Sequence, residues 1–269
     1  IYITGDNMTE QIISDTSFDM FTNELKKNRI KRSYDIINIE FNLYLNNESF
    51  YFRIDEHDHI ITNSVFLSSY FDKKKRKISD MTEVADKVFL IELSKGSIDF
   101  AHSILVLDLN NSHVVLFSSQ YQPSKKTTPR FEQHYHVGKI IGDNDNTLLP
   151  AETRDLIGLH ILNEYSESTA VEHIYINSQW YAYHIYGGVR HGECDCDQAT
   201  YLKIKDDVYL LGFRELAVDV AIILLLDLKS MRNTGFAVGY TDEQWFSIPI
   251  GAYMKRINKR LEEHNFHAL

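Results

Sequence analysis

Apolar and polar residues alternate along most of this chain. Over residues 39–62 the run IEFNLYLNNESFYFRIDEHDHIIT changes character nearly every second residue, and Asn46-Asn47 interrupts it. Period-two alternation is the pattern of a strand with one buried face, and an Asn pair between two such runs marks a hairpin. Further apolar runs lie at 65–70, 84–93, 100–109 and 113–120, with turns at Lys95-Gly96 and Asn110-Asn111-Ser112 and a loop over 73–82. From 121 to 155 the chain turns polar and holds Pro123, Pro129 and Pro150; FEQHYHVGKIIG is a candidate strand there and DNDNTLLPAETRD reads as a linker. The alternation then restarts. LIGLHILNEYS (Gly158 at a bend), AVEHIYINS, QWYAYHIYGG, ATYLKIKDD, VYLLGFREL, VDVAIILLLDL and TGFAVGYT each fit a strand, VRHGECDCDQ fits a long loop, and 245–250 fits a last strand or turn.

Two stretches carry a helical period instead. Asp15 or Ser17 can cap a helix that puts Phe18, Phe21 and Leu25 on one face, and 251–264 puts Met254, Ile257 and Leu261 on one face with Lys255, Arg256 and Arg260 outward. Many short strands at even spacing predict an all-β protein. The expected architecture is two lipocalin/calycin-like antiparallel β-barrels in tandem, at 38–149 and 150–269, after a lead-in at 1–37, with short accessory helices at both ends. One pseudo-symmetric barrel built from both halves is the competing arrangement.

An internal echo supports duplication. Val208-Tyr209-Leu210 repeats Val88-Phe89-Leu90 at an offset of 120, and Asp227-Leu228 repeats Asp108-Leu109 at 119. The one-residue slip between these strands is where a β-bulge belongs. The first copy has Ser94-Lys95 where the second has Arg214-Glu215, which places the candidate site in the second half.

Composition narrows the function classes. A net charge of −10 argues against nucleic-acid or anionic-membrane partners, and the basic run 73–77 reads as a solvated turn. Two cysteines, Cys194 and Cys196, sit too close for an ordinary disulfide and fit a reducing cytoplasm. No apolar run is long enough for a membrane span, and the opening residues show no signal-peptide pattern. Cys-x-Cys lacks the second pair that a structural zinc site needs, and His134 and His136 read as surface residues. No phosphate loop or nucleophile elbow occurs. No metal and no cofactor are expected.

Candidate chemistry lies on the strands of the second half. Glu172, His184, Arg214 and Glu215 are candidate acid–base and anchoring groups, because a carboxylate, an imidazole and a guanidinium in an apolar barrel shift one another's pKa values. Tyr175, Trp180, Tyr183, Tyr201, Phe213 and Tyr240 are candidate ligand-binding residues. A buried ion pair of Arg214 with Glu172 or Glu215 is the plain structural alternative. Arg214 and Glu215 point opposite ways, so one of them faces the lumen.

The EHIYIN strand, the Tyr183-His184 step, the Gly-rich turn, Asp195-x-Asp197, YLKIKDDVYL, Phe213-Arg214-Glu215 and DLKSMRNTGFAVGY resemble the MoaF-like family (molybdenum cofactor biosynthesis protein F). The resemblance spans roughly 34–253 and is clearest in the second half. It implies a lipocalin- or calycin-like barrel with an interior ligand cavity. The chain departs from the family at Phe213 and Leu216, where Trp and Lys are usual around Arg-Glu, and at Cys194 and Cys196. Three functions follow as expectations: a barrel binding a small organic molecule, aromatic or anionic; a cofactor-free lyase, isomerase or cyclase of secondary metabolism in the same cavity; or a structural or interaction protein without ligand. Edge strands and an exposed final helix would support a homodimer.

Overall fold

The computed structural model describes residues 15–71, 76–94, 100–142, 148–241 and 244–258. Helix α1 (Asp15–Glu24) and a 3₁₀ turn at Leu67–Ser69 are the helical elements among them. The first sheet holds β1 (Glu40–Leu45), β2 (Glu48–Ile54), β3 (Ile60–Thr62), β4 (Asp80–Ala85), β5 (Val88–Ser94), β6 (Ala101–Asp108), β7 (His113–Tyr121) and β8 (Phe131–Ile140). The second holds β9 (Ala151–Glu152), β10 (His160–Glu164), β11 (Ala170–Tyr175), β12 (Trp180–Tyr186), β13 (Cys194–Lys205), β14 (Val208–Arg214), β15 (Val220–Asp227), β16 (Arg232–Thr241) and β17 (Gln244–Arg256).

Both sheets are antiparallel meanders of the same order. In the second, β10 to β17 pair neighbour to neighbour and β17 returns to β10, so a barrel closes, with β9 added at the far end of β13. In the first, β8 returns to β1, but β3 is short and meets the approach to β4 only through a single bridge, His59 to Lys77. That sheet curls without closing. Two sheets, not one shared barrel, are what the chain builds.

The echo is a true structural repeat. Asp86-Lys87 and Asp206-Asp207 make the same hairpin turn, with positive φ at Lys87 (54°) and Asp207 (63°). The expected slip is a register shift in the β5–β6 pair between Glu92 and Ser94 that β14–β15 lacks. By partner register, Ser94 opposite Ser103 then corresponds to Phe213 opposite Ile222.

Three apolar cores explain why these strands look apolar on both faces. One lies inside the curled sheet, around Phe52, Phe89 and Leu107. One lies inside the closed barrel, around Tyr175, Phe213 and Leu224. The third joins the outer faces of the two sheets, Leu90, Val106 and Phe117 against Leu210, Ile223 and Phe236. Gly212 permits this contact: a Cβ there would lie 2.5 Å from both Phe117 and Gln133 of the first sheet.

Several expectations are corrected. Residues 251–256 are the end of β17 and not a C-terminal helix. Ile248, Ile250, Ala252 and Met254 enter the barrel core at every second residue, and a short apolar run does not separate the two periods by itself. Residues 259–264 of the expected helix lie outside the described residues, as do 73–75 of the basic run. Run 84–93 is two strands split at Asp86-Lys87. The expected loop VRHGECDCDQ ends early, because Cys194–Asp197 already pair with β12. The N-terminal helix forms where predicted, and Phe21 and Leu25 join the closed-barrel core.

Candidate functional site at the mouth of the closed barrel

Strand β14 decides the geometry. Tyr209, Leu211 and Phe213 enter the barrel core, while Leu210 packs outward against the first sheet. The alternation carries Arg214 outward, where it donates to Gln133 of β8 (3.1 Å) and Thr200 (3.2 Å). Glu215 therefore turns inward, beside Asp197 and the phenols of Tyr181 and Tyr183. Neither Glu172 nor Glu215 pairs with Arg214: Glu172 accepts from Tyr186 (2.9 Å) and meets His160 (2.9 Å) on the outer face.

The mouth wall is built from two cross-strand pairs. Tyr181 stands opposite Asp197, and Tyr183 opposite Asp195, along β12–β13. Behind them Tyr181 stacks on Phe213 with ring centroids 3.8 Å apart, and His173 meets both rings edge-on. Tyr201 donates to the Trp180 carbonyl (3.0 Å) and packs on Tyr175. Helix α1 and the segment after it complete the wall. Strand β10 stops at Glu164, and Leu25 instead accepts from Gly251 of β17 while Asn28 donates to the Tyr165 carbonyl. Arg190, paired with Glu193 (Nε–Oε2 2.7 Å), lies over the Phe21 ring.

The electrostatics follow from burial. Desolvation, then the neighbouring Asp197, pushes the Glu215 carboxyl up to about 8. Desolvation also pushes Asp197 up to about 6, against the Leu216 amide that donates to its Oδ1 (2.8 Å). His173 is held neutral, pushed down to about 3 by burial. Tyr175 and Tyr181 are raised well above the usual phenol range. Three buried polar atoms here have no hydrogen-bond partner among the described residues: Asp197 Oδ2, His173 Nδ1 and Tyr175 Oη.

The sequence-derived candidates thus separate. Glu215, Tyr175, Tyr183, Tyr201 and Phe213 share the barrel interior. Trp180 and Arg214 line a cleft of about 280 Å³ on the barrel flank with Glu152 and Gln198. Glu172 and His184 stand opposite each other on the outer face of the barrel, with Glu172 buried there. Tyr240 lies between the sheets. Asp197, Tyr181 and His173 were not selected from sequence. Their signal was the alternation running back from Tyr201 through Ala199 to Asp197, hidden because that stretch reads as a loop. Cys194 and Cys196 are free thiols on the opposite face of β13, Cys194 exposed.

Residues 150–260 match the model of the MoaF C-terminal domain. The closed barrel is MoaF-like. Over 113 residues, 41% of its length, the chain is 34% identical to Protein MoaF of Klebsiella aerogenes. The match spans 43% of the length of that curated relative. The mouth residues Tyr181, Asp197 and Glu215 all lie within the matched MoaF segment. Among the described residues no helix is long and apolar enough to cross a membrane.

Proposed function

We propose that this MoaF-like chain binds a small organic molecule at the mouth of its closed barrel. One observation carries the reading: Asp197 is fully buried, yet its Oδ2 has no partner among the described residues, and a second carboxyl, Glu215, lies near enough to feel its charge. A buried polar atom without a partner costs roughly 1–3 kcal/mol, so a fold retains it where something else satisfies it. Tyr183 and Glu215 keep part of their surface accessible, which leaves the mouth reachable. Native mass spectrometry of the purified chain tests this. A retained small molecule that is lost in Asp197→Asn and Glu215→Gln supports it; retention unchanged in both variants counts against it.

A second reading, cofactor-free acid–base catalysis of the lyase or isomerase type, has its own support. Two inward carboxyls with different proton affinities, near 6 and near 8, are the arrangement that lets one accept a proton while the other donates. Glu215→Gln would then keep ligand binding and abolish turnover of the bound molecule.

A further inference from the structure

Charge at the mouth is one-sided. Around Glu215 stand Asp197, Asp195 and Glu193, and the cation among them is Arg190. Arg190 is engaged by Glu193 and covered by Phe21. Arg214, the guanidinium that could have anchored an anion here, points to the other side of β14. The groups facing the carboxyls from β11 and β12 are neutral: His173, Tyr181 and Tyr183. An anionic ligand would add a further negative charge to a desolvated acidic pair, and an apolar ligand would leave Asp197 Oδ2 unsatisfied. Aromatic rings beside carboxylates, by contrast, are what a positive charge seeks, because the ring face carries negative potential. One face of Tyr181 is taken by Phe213, and Tyr183, 6.2 Å from Tyr181 between ring centroids, borders the accessible rim.

We propose that the ligand is an organic cation, a protonated or quaternary amine, seated between the carboxyls of Asp197 and Glu215 and the rings of Tyr181 and Tyr183. This rests on the reading of the mouth as a binding site. Binding a cation releases protons from the two carboxyls, because the fixed positive charge favours their ionised forms. Affinity for an amine that stays charged therefore rises with pH between 6 and 8.

Three probes of one shape separate the outcomes: benzylamine, benzyl alcohol and benzoate, each titrated into the full chain and read by amide chemical shifts. Benzylamine is expected to shift the amides of Asp197, Glu215 and Leu216, and about tenfold more weakly in Asp197→Asn and Glu215→Gln, whose remaining spectra report that they stay folded. Benzyl alcohol or benzoate acting at the same amides with equal or greater affinity overturns the cation and leaves the binding site standing. No probe perturbing the mouth overturns both. Benzylamine binding that is unchanged in the two variants places the cation elsewhere and overturns the assignment.

Discussion

Tyr121 and Tyr240 stack on each other with ring centroids 5.1 Å apart and planes 28° from parallel. They are the same position of the two copies, 119 residues apart in the sequence. Phe117 and Phe236, and Leu90 and Leu210, likewise stand in the core between the sheets. The repeat therefore pairs with itself: the echoed outer-face residues are those that meet across the join, as in a contact between two symmetry-related subunits. Arg130 lies over Tyr121 and is held by Asp219, which extends the contact across the two sheets.

Because the two tyrosines occupy equivalent places, Tyr121→Ala and Tyr240→Ala should destabilise by similar amounts, about 2–4 kcal/mol each. The double mutant should cost less than their sum by about 0.5–1.5 kcal/mol. Chemical denaturation of the four chains gives this coupling. Additive losses would mean that the rings do not support each other.

Gly212→Ala should destabilise by about 1–3 kcal/mol, since the new methyl meets the ring of Phe117 and the amide of Gln133 at 2.5 Å. Gly142→Ala, where nothing lies within 4 Å, is the matched control. Equal melting temperatures for the two variants would contradict the close packing of the sheets.

Stability should depend on pH in two opposed ways. Glu215 binds its proton up to about 8 in the folded chain but only to about 4.5 when unfolded, so the native state holds more protons in between. Stability from this group falls as pH rises through that window. Glu215→Gln removes the loss and should be more stable than the natural chain at pH 8, by on the order of 1–3 kcal/mol, with little difference at pH 4.5. His173 acts at the acid end: folded it resists protonation down to about 3 whereas unfolded it protonates near 6.5, so stability falls as pH drops below 6.5. Thermal melts from pH 4 to 9 follow both limbs. An unchanged slope above pH 5 in Glu215→Gln would exclude the raised carboxyl.

Neighbouring residues on β14 should have separable roles. Arg214→Gln loses the link to Gln133 and Thr200 and should lower stability by about 1–3 kcal/mol without altering what the mouth retains. Glu215→Gln should change what the mouth retains without that loss. Paired melts and native mass spectra of both variants check the division, and a loss of retained ligand in Arg214→Gln would argue against it.

Much of the architecture was legible in the amino-acid order. Alternation located most strands, the offset between Val88 and Val208 revealed the duplication, and the slip between copies marked the shifted register after Glu92. Asp108 and Asp227 recur because each accepts backbone amides in the turn after its strand, from Asn110 and Lys229. These are local or repeated signals, and a chain states them directly. What escaped was relational. Alternation showed that Arg214 and Glu215 face opposite ways, but both faces of β14 are buried, one in the barrel and one against the first sheet, so polarity could not say which is which. Only the packing of the two sheets sent Arg214 to Gln133 and Glu215 to Asp197. The same holds for Tyr240, chosen as a lumen residue from its aromatic character and placed by the fold against Tyr121. The sequence by itself determined strands, turns and the repeat, because those depend on neighbours a few residues away. The tertiary structure alone decided which face is inside, because that depends on where the other copy packs.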